Sequence, residues 1–295
     1  FIDLTDYRAF REVGLRGLTV EGTERPGARD RNGARNALFA DLLVTTGLRL
    51  EEASHLLTAQ IPVGDARAER QRRVELPAAL TKGDRGRSML LPRRLLPVFD
   101  AYIAVERAEA VAKFARRRGW EAIDRPIFIH CPSFGPSALH LVGGGTMDME
   151  VVTPDERARL VICDDDGTPC EAAVLWLTEV GQPGLPKSWE AIFSRASRRC
   201  TDAGIPVRVS PHQLRHSFAV HMLAMLIQRR LAEAAAPVGT MDGYRQLVGD
   251  PLQQVQRLLG HSSLATTSIY LDHLATRADT VDAAARRLRS LALGT

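Results

Sequence analysis

The chain has 295 residues, of which 45% are hydrophobic, so it is long enough to bury one large core or two smaller ones. It has no apolar run of about 18 residues and no signal peptide, which argues against a membrane-spanning helix and favours a soluble cytoplasmic protein. The formal net charge of +4 is modest but unevenly distributed. Residues 65 to 95 hold nine Lys or Arg against four Asp or Glu, and residues 141 to 185 hold two against nine.

This charge distribution predicts a basic surface at residues 65 to 95 and an acidic insert, which we place at residues 131 to 185. Taken alone, the basic stretch is also typical of ordinary solvated surface. The four cysteines show no C-x-x-C spacing, so we expect reduced thiols and no zinc site. Because the first residue is Phe1 and not methionine, we expect the chain to begin inside a longer gene product.

Two helices are predicted at the start of the chain. Residues 1 to 18 are typical of a capped helix that begins after Thr5. A charged loop follows at residues 21 to 33, and the apolar stretch from 34 to 46 predicts a second helix that Gly47 ends.

Arg49 follows that helix stop directly. The next predicted helix covers residues 50 to 57 and contains Glu52, which is three residues from Arg49 and near enough to hold its guanidinium. Residues 71 to 92 alternate loosely and are interrupted by a G-D-R-G turn signal, which predicts a hairpin with Lys82 at its turn. We expect a small antiparallel sheet of two or three strands.

The middle of the chain is predicted to be less regular. Residues 92 to 118 favour a long helix, and residues 127 to 129 favour a short strand. In the acidic insert the periodicity fades, and only residues 171 to 180 are expected to be ordered, as a helix or a strand. Residues 187 to 203 then show an amphipathic pattern that predicts another helix.

Two histidines and an arginine lie close together in the sequence S-P-H-Q-L-R-H, which begins at Ser210. Ser followed by Pro favours a helix start, because the hydroxyl caps the first turn and proline has no N–H to leave unbonded there. His212 and Arg215 then share one helix face. Further on, the sequence L-L-G-H predicts a helix end with His261 at the corner, and the next helix would carry Tyr270.

This order, H-x-x-R-H followed by L-G-H and a tyrosine, resembles the catalytic core of the tyrosine recombinase (phage integrase) family. Two upstream stretches agree with it. T-T-G-L-R-L-E-E-A-S-H-L, at residues 45 to 56, is similar to that family's first arginine box, and T-K-G-D-R-G-R-S-M-L-L-P, at residues 81 to 92, is similar to its β-hairpin lysine region. Residues 131 to 185 and 228 to 250 match nothing in the family. The resemblance implies an α+β, mainly α, catalytic domain with a small antiparallel β-sheet.

The resemblance also implies a reaction, in which a tyrosine attacks a DNA phosphodiester and forms a 3′-phosphotyrosine without metal or ATP. Two arginines neutralise the non-bridging oxygens, and a histidine donates a hydrogen bond to one of them. A second histidine accepts the phenol proton, and a lysine gives a proton to the leaving 5′-oxygen. Arg49 and Arg215 match the two arginines, and Tyr270 matches the nucleophile. His261 matches the histidine that donates a hydrogen bond, and His212 matches the histidine that accepts the phenol proton. Lys82 matches the lysine.

Four more residues are assigned supporting roles. Glu52 and His216 are expected to hold the catalytic side chains, and Arg85 and Arg87 are expected to contact DNA. His212 and His216 are spaced like two metal ligands, but no H-E-x-x-H pattern is present, so we expect no metal. No cofactor is implied.

The predicted function is site-specific cleavage and rejoining of double-stranded DNA, with no small-molecule substrate and no membrane partner. Two alternatives remain, a type IB topoisomerase-like relaxase and a DNA-binding regulator of the same fold that has lost the chemistry. We treat residues 1 to 295 as one catalytic domain, without the family's separate N-terminal DNA-binding domain. Residues 275 to 291 carry apolar side chains at helical spacing, which predicts a tail helix. This helix packs either on its own domain or, as the resemblance implies, on a neighbouring protomer of a homotetramer. We favour the neighbour, because an alanine-rich stripe buries little area.

Overall fold

The computed structural model describes residues 1–24, 32–63, 73–83, 85–234, 251–261 and 267–269. The fold divides into two compact units, a larger one, Ile2–Arg215, and a smaller one, Phe1 with His216–Thr295. Helices predominate and small sheets accompany them, so the predicted α+β, mainly α, class is confirmed. None of the described helices is long and apolar enough to cross a membrane.

The helices of the described residues are, in chain order, α1 (Leu4–Ala9), α2 (Gly33–Thr46), α3 (Leu50–Ser54), α4 (Leu96–Tyr102), α5 (Ala108–Arg116), α6 (Pro154–Arg159), α7 (Pro186–Asp202), α8 (Pro211–Ala234) and α9 (Pro251–Leu259). A π-helical stretch, Phe10–Leu15, extends α1, and a second one, Ile103–Arg107, joins α4 to α5. The long helix expected between residues 92 and 118 is therefore present, and α7 lies where residues 187 to 203 predicted a helix.

Two helix boundaries differ from the prediction. The first helix begins earlier than expected, because the Asp3 carboxylate accepts a hydrogen bond from the Asp6 N–H at 2.8 Å and caps it there. The third helix ends at Ser54 and does not reach Leu57, because Leu57 is extended and forms a β-bridge with Val174. A long-range partner therefore decides where α3 ends.

The described strands are β1 (Arg73–Leu76), β2 (Arg87–Leu90), β3 (Ile127–His130), β4 (Ala138–His140), β5 (Thr146–Asp148), β6 (Leu160–Cys163) and β7 (Pro169–Ala172). Antiparallel pairing of β1 with β2 confirms the predicted hairpin. In the second sheet, β6 lies between β3, to which it is parallel, and β7, to which it is antiparallel. The third sheet is the antiparallel pair of β4 and β5.

The acidic insert is more ordered than predicted, and the expectation of order only at residues 171 to 180 was wrong. It contains four strands and α6. Its glycine run, Gly143 to Gly145, has positive φ throughout and forms the turn of a hairpin, in which the Leu141 N–H donates to the Gly145 carbonyl at 3.0 Å. The periodicity fades over these short strands, and β6 is defined by its parallel partner β3, which lies outside the insert, so the sequence pattern missed them.

The core of the larger unit is built around aromatic rings. Phe39 of α2 stacks on Trp189 of α7, with ring centroids 3.6 Å apart, and meets Trp176 edge-on at 5.2 Å. Phe99 and Tyr102 of α4 contact the same Trp176 ring. Because Trp176 belongs to the acidic insert, this core joins the insert to α2, α4 and α7.

The smaller unit has a core of its own. Phe218 of α8 packs with Val255 and Leu259 of α9, and all three side chains are buried. The Phe1 ring meets the His221 ring edge-on, with centroids 5.5 Å apart. The start of the chain therefore contributes to this core.

Candidate active site

Arg49 is positioned by the end of one helix and the start of the next. Helix α2 ends at Gly47, whose φ of 67° lies in the left-handed region that glycine favours. Arg49 is extended, with φ −71° and ψ 154°, and its carbonyl accepts the Ala53 N–H at 2.9 Å to begin α3. The Arg49 side chain therefore leaves the chain at a helix N-terminus.

Glu52 holds Arg49 through two hydrogen bonds. Its Oε2 accepts the Arg49 backbone N–H at 2.8 Å, and its Oε1 accepts Nη1 of the Arg49 guanidinium at 2.8 Å. The Glu52 side chain is 1% exposed and the Arg49 side chain is 25% exposed. Because a buried carboxylate is costly without a charged partner, this pair fixes the direction of Arg49. The contact agrees with the three-residue spacing that predicted it.

A second arginine shares the Glu52 carboxylate. Arg87 of β2 donates from Nη2 to Glu52 Oε2 at 2.6 Å, and its side chain is 9% exposed. Burial lowers the pKa of Arg87, and the charge of Glu52 opposes that shift. The guanidinium of Arg87 is thus bonded to Glu52, and its expected contact with DNA stays a prediction.

The start of α8 agrees with the sequence prediction. The Gln213 N–H donates to the Ser210 hydroxyl at 3.2 Å, which caps the helix in front of Pro211. On this first turn His212 is exposed, whereas Arg215 is buried with 5% of its surface accessible. The two side chains therefore differ in burial although they are only three residues apart.

Arg215 is attached to the same stretch of chain as Arg49. Its Nη1 donates a hydrogen bond to the backbone carbonyl of Gly47, two residues before Arg49. The sequence places both arginines at helix starts but gives no sign of this contact. In the larger unit, two guanidinium groups are thus tied to the turn between α2 and α3. Guanidinium pairs of this kind can bind the non-bridging oxygens of a phosphodiester and stay charged at any working pH.

Lys82 lies in the connection between β1 and β2 and is exposed. The Thr81 hydroxyl, just before it, donates to the Arg85 carbonyl at 2.6 Å and closes this connection. Arg85 is also exposed. Because Arg87 on the same hairpin is bonded to Glu52, the hairpin that carries Lys82 is attached to the helix that follows Arg49.

His261 lies at the corner after α9, in the smaller unit. Gly260, with φ 65°, ends the helix, and the His261 N–H donates to the Gln256 carbonyl at 3.0 Å. The imidazole Nδ1 is 3.0 Å from the hydroxyl of Thr267, which is fully buried. Thr267 therefore fixes the ring, a contact that the sequence pattern does not indicate.

The structure describes only some of the remaining predicted site residues. His216 is half-buried at the beginning of the smaller unit. Tyr270 and the predicted tail helix at residues 275 to 291 lie outside the described residues. In the part of the chain that the structure describes, no group of three or more His, Cys, Asp or Glu side chains could hold a metal ion.

Comparison with protein families gives a match over residues 24–235 to the model described as "Phage integrase family". The chain belongs to the phage integrase family. The matched range contains Arg49, Lys82 and Arg215, whereas His261 lies beyond its end. It also spans the acidic insert, which the motifs alone had left unmatched.

Two curated members of this family are similar to the chain over part of its length. The tyrosine recombinase XerC of Ralstonia pickettii is 33% identical over 126 residues, which is 43% of this chain and 30% of that protein. The tyrosine recombinase XerC of Shewanella oneidensis is 37% identical over 102 residues, which is 35% of this chain and 25% of that protein. The aligned stretch thus spans less than a third of either relative.

Comparison of this chain with solved structures gives matches of low sequence identity. The crystal structure of XerA recombinase has a TM-score of 0.46 and 15% identity, covering 92% of this chain and 57% of that one. The Tn1549 transposon integrase in complex with transposon right end DNA has a TM-score of 0.46 and 14% identity, covering 91% and 60%.

Proposed function

We propose that this chain carries the catalytic residues of a site-specific DNA recombinase, which cleaves and rejoins DNA strands through a 3′-phosphotyrosine intermediate. The observation that carries the proposal is the attachment of Arg49 and Arg215 to one turn of the larger unit. Membership of the phage integrase family and the similarity to proteins named tyrosine recombinase support this reaction type.

In the proposed reaction the two arginines bind the scissile phosphate. Negative charge grows on its non-bridging oxygens as the attacking oxygen approaches, and fixed guanidinium groups stabilise that charge without having to reorient. The pair of Arg49 with Glu52 and the bond of Arg215 to the Gly47 carbonyl hold the two groups before the substrate arrives. Glu52 therefore acts by orienting Arg49, and we assign His216 a similar supporting role.

The remaining steps are assigned by the match to the family motifs. The Tyr270 oxygen attacks phosphorus and gives its proton to His212, while the bond from phosphorus to the 5′-oxygen breaks and Lys82 protonates that oxygen. His261 donates a hydrogen bond to a non-bridging oxygen. One phosphate ester replaces another, so the energy of the broken bond is retained and rejoining is the reverse reaction. The scheme uses neither ATP nor a divalent metal.

Double-stranded DNA is the proposed partner, and the exposed residue Arg85 beside Lys82 is a proposed phosphate contact. We further propose that the enzyme acts as a homotetramer on the DNA of the nucleoid, with residues 275 to 291 packing on the next protomer. No small molecule takes part in this scheme.

A nicked DNA substrate that traps the covalent intermediate tests the proposal. The unaltered chain should become covalently attached to DNA in the presence of EDTA, and Tyr270→Phe should bind DNA but form no adduct. Tyr244→Phe is the matched control and should form adduct normally. An adduct formed by Tyr270→Phe would reject the assignment of the nucleophile.

The two alternatives are separated by repeating the experiment with supercoiled plasmid DNA that carries two copies of the target site. A relaxase would form the adduct and relax supercoiled DNA without exchanging strands between two sites. A silent regulator would shift DNA in a gel and form no adduct at all.

A further inference from the structure

The acidic insert contacts the helix that follows Arg49. Helix α3 has only five residues, so most of its backbone carbonyls find no partner within the helix. Trp176 donates from Nε1 to the Ala53 carbonyl at 2.9 Å, and the Leu175 N–H donates to the Leu56 carbonyl at 2.7 Å. Residues of the insert thus bond the end of α3 and the chain just after it.

The contact continues beyond α3. The Thr58 N–H donates to the Ala173 carbonyl at 3.1 Å, next to the bridge between Leu57 and Val174. Residues 53 to 58 and residues 173 to 176 therefore run side by side and exchange hydrogen bonds, although more than a hundred residues of chain separate them.

The same strip of the insert is fixed from its other side. Arg107 is buried and donates to the carbonyls of Ala172, Val174 and Leu175. The Tyr102 hydroxyl donates to the Leu175 carbonyl at 3.1 Å. The strip from 172 to 177 therefore lies between the helical stretch of residues 96 to 116 and the end of α3, and it is bonded to both.

We propose that Trp176 is a positioning residue, which holds the Ala53 carbonyl of α3 and so keeps Arg49 and Glu52 in the geometry that the cleavage step requires. Arg49 is bonded to Glu52, Glu52 lies on α3, and α3 is too short to hold itself rigid. Displacing a substrate-orienting group by about 1 Å can cost on the order of 100-fold in rate. The acidic insert is thus part of the machinery that orients the first arginine. This inference rests on the proposed function.

Two tryptophans of the same aromatic core give a matched pair of variants. Trp176 and Trp189 are both buried, and each donates its indole N–H to a backbone carbonyl at 2.9 Å. The acceptor of Trp189 is Gly184, which is not part of α3. Replacement by phenylalanine removes one buried hydrogen bond in either case, so both variants should lose similar thermal stability.

The two variants should differ in the cleavage step. At saturating DNA, Trp176→Phe should slow single-turnover adduct formation by about 10- to 100-fold while the dissociation constant for DNA stays near that of the unaltered chain. Trp189→Phe should cleave close to the normal rate. Equal rates for the two variants, or a Trp176→Phe defect that appears only in DNA affinity, would overturn the proposal.

Hydrogen exchange tests the structural part of the inference without relying on activity. Amides of residues 53 to 58 should exchange faster in Trp176→Phe than in Trp189→Phe. Should Trp176→Phe fail to fold, Tyr102→Phe removes the hydroxyl bonded to Leu175 and should produce the same two changes in weaker form. If the unaltered chain forms no adduct, the proposed function fails. If it does form adduct but the paired variants behave alike, only the role of Trp176 fails.

Discussion

Arg49 and Arg215 are attached to the same turn but are held by different chemistry. Arg49 pairs with the carboxylate of Glu52, whereas Arg215 donates to the backbone carbonyl of Gly47. A carboxylate is lost when one side chain is replaced, but a carbonyl is present whatever residue occupies the position. The orientation of Arg49 should therefore be sensitive to a single substitution, and that of Arg215 should be sensitive to the shape of the turn.

The largest expected effect concerns Lys82, whose proposed role is to donate a proton, whereas the two arginines stabilise charge. Lys82→Arg keeps the positive charge but removes the group that can donate a proton, since a guanidinium effectively never gives one up. The rate of DNA cleavage should fall by about 10²- to 10⁴-fold, measured as adduct formation on a nicked substrate.

A substrate change and a second variant serve as controls for Lys82. Sulfur in place of the bridging 5′-oxygen makes a leaving group that needs no proton, so this substrate should restore cleavage by Lys82→Arg. Lys113→Arg, on α5, should cleave normally. If the sulfur substrate does not restore the rate, Lys82 contributes only its charge, as the arginines do, and does not donate a proton.

The next effect tests the carboxylate that holds Arg49. Glu52→Gln leaves two arginines without their shared anion, and breaking a buried pair of this kind should reduce the free energy of unfolding by about 2–4 kcal/mol, since Arg49 itself is partly exposed. Cleavage should slow as well. Asp155→Asn is the matched control, because Asp155 pairs with Arg159 at 3.0 Å but is 78% exposed and should cost below about 1 kcal/mol. Chemical denaturation of both variants checks the difference.

A smaller effect tests the turn that holds Arg215. Gly47→Ala places a Cβ at a φ of 67° and should reduce the free energy of unfolding by about 1–2 kcal/mol. Gly47→Asn should lose less, because asparagine tolerates this conformation better. Thermal melts of the two variants give the comparison, and equal melting temperatures would show that the turn is not strained by a side chain.

The smallest effect concerns pH. Burial lowers the pKa of His55, the C-cap residue just after α3, and the charge of Arg157 lowers it further, while the Glu51 carbonyl opposes the shift. The folded state therefore prefers the neutral ring. The contribution of His55 to the free energy of unfolding should be complete above about pH 6.5, the pKa of an unperturbed histidine. It should decrease as the pH falls below that value. His55→Gln should remove this dependence in denaturation curves recorded across that range.

The helices that bear the site were predictable because their boundaries are set locally. Gly47 and Gly260 end helices through their own left-handed conformation, and Ser210 begins one with its hydroxyl. The pairing of Arg49 with Glu52 followed from a separation of three residues. Such signals act within one helical turn, so the sequence contains them in full.

Contacts between distant residues could not be read in this way. Nothing near Arg87 shows that it is buried against Glu52, and nothing near Gly47 shows that its carbonyl accepts from Arg215. The prediction for the acidic insert was wrong for a related reason, since its short strands are defined by their partners and not by their own sequence pattern. Whether a charged side chain is a surface contact or a buried partner is decided by the fold.

The carboxylate shared by Arg49 and Arg87 has a consequence for how this sequence can change over time. A mutation at position 87 leaves Glu52 with one cation, and a mutation at position 52 leaves two cations without their anion. Either change alone is unfavourable, and a joint replacement of both by uncharged side chains would still leave Arg49 without the carboxylate that orients it. Position 52 should therefore stay acidic among descendants of this gene as long as the site is used, and position 87 should stay basic as long as position 52 is acidic.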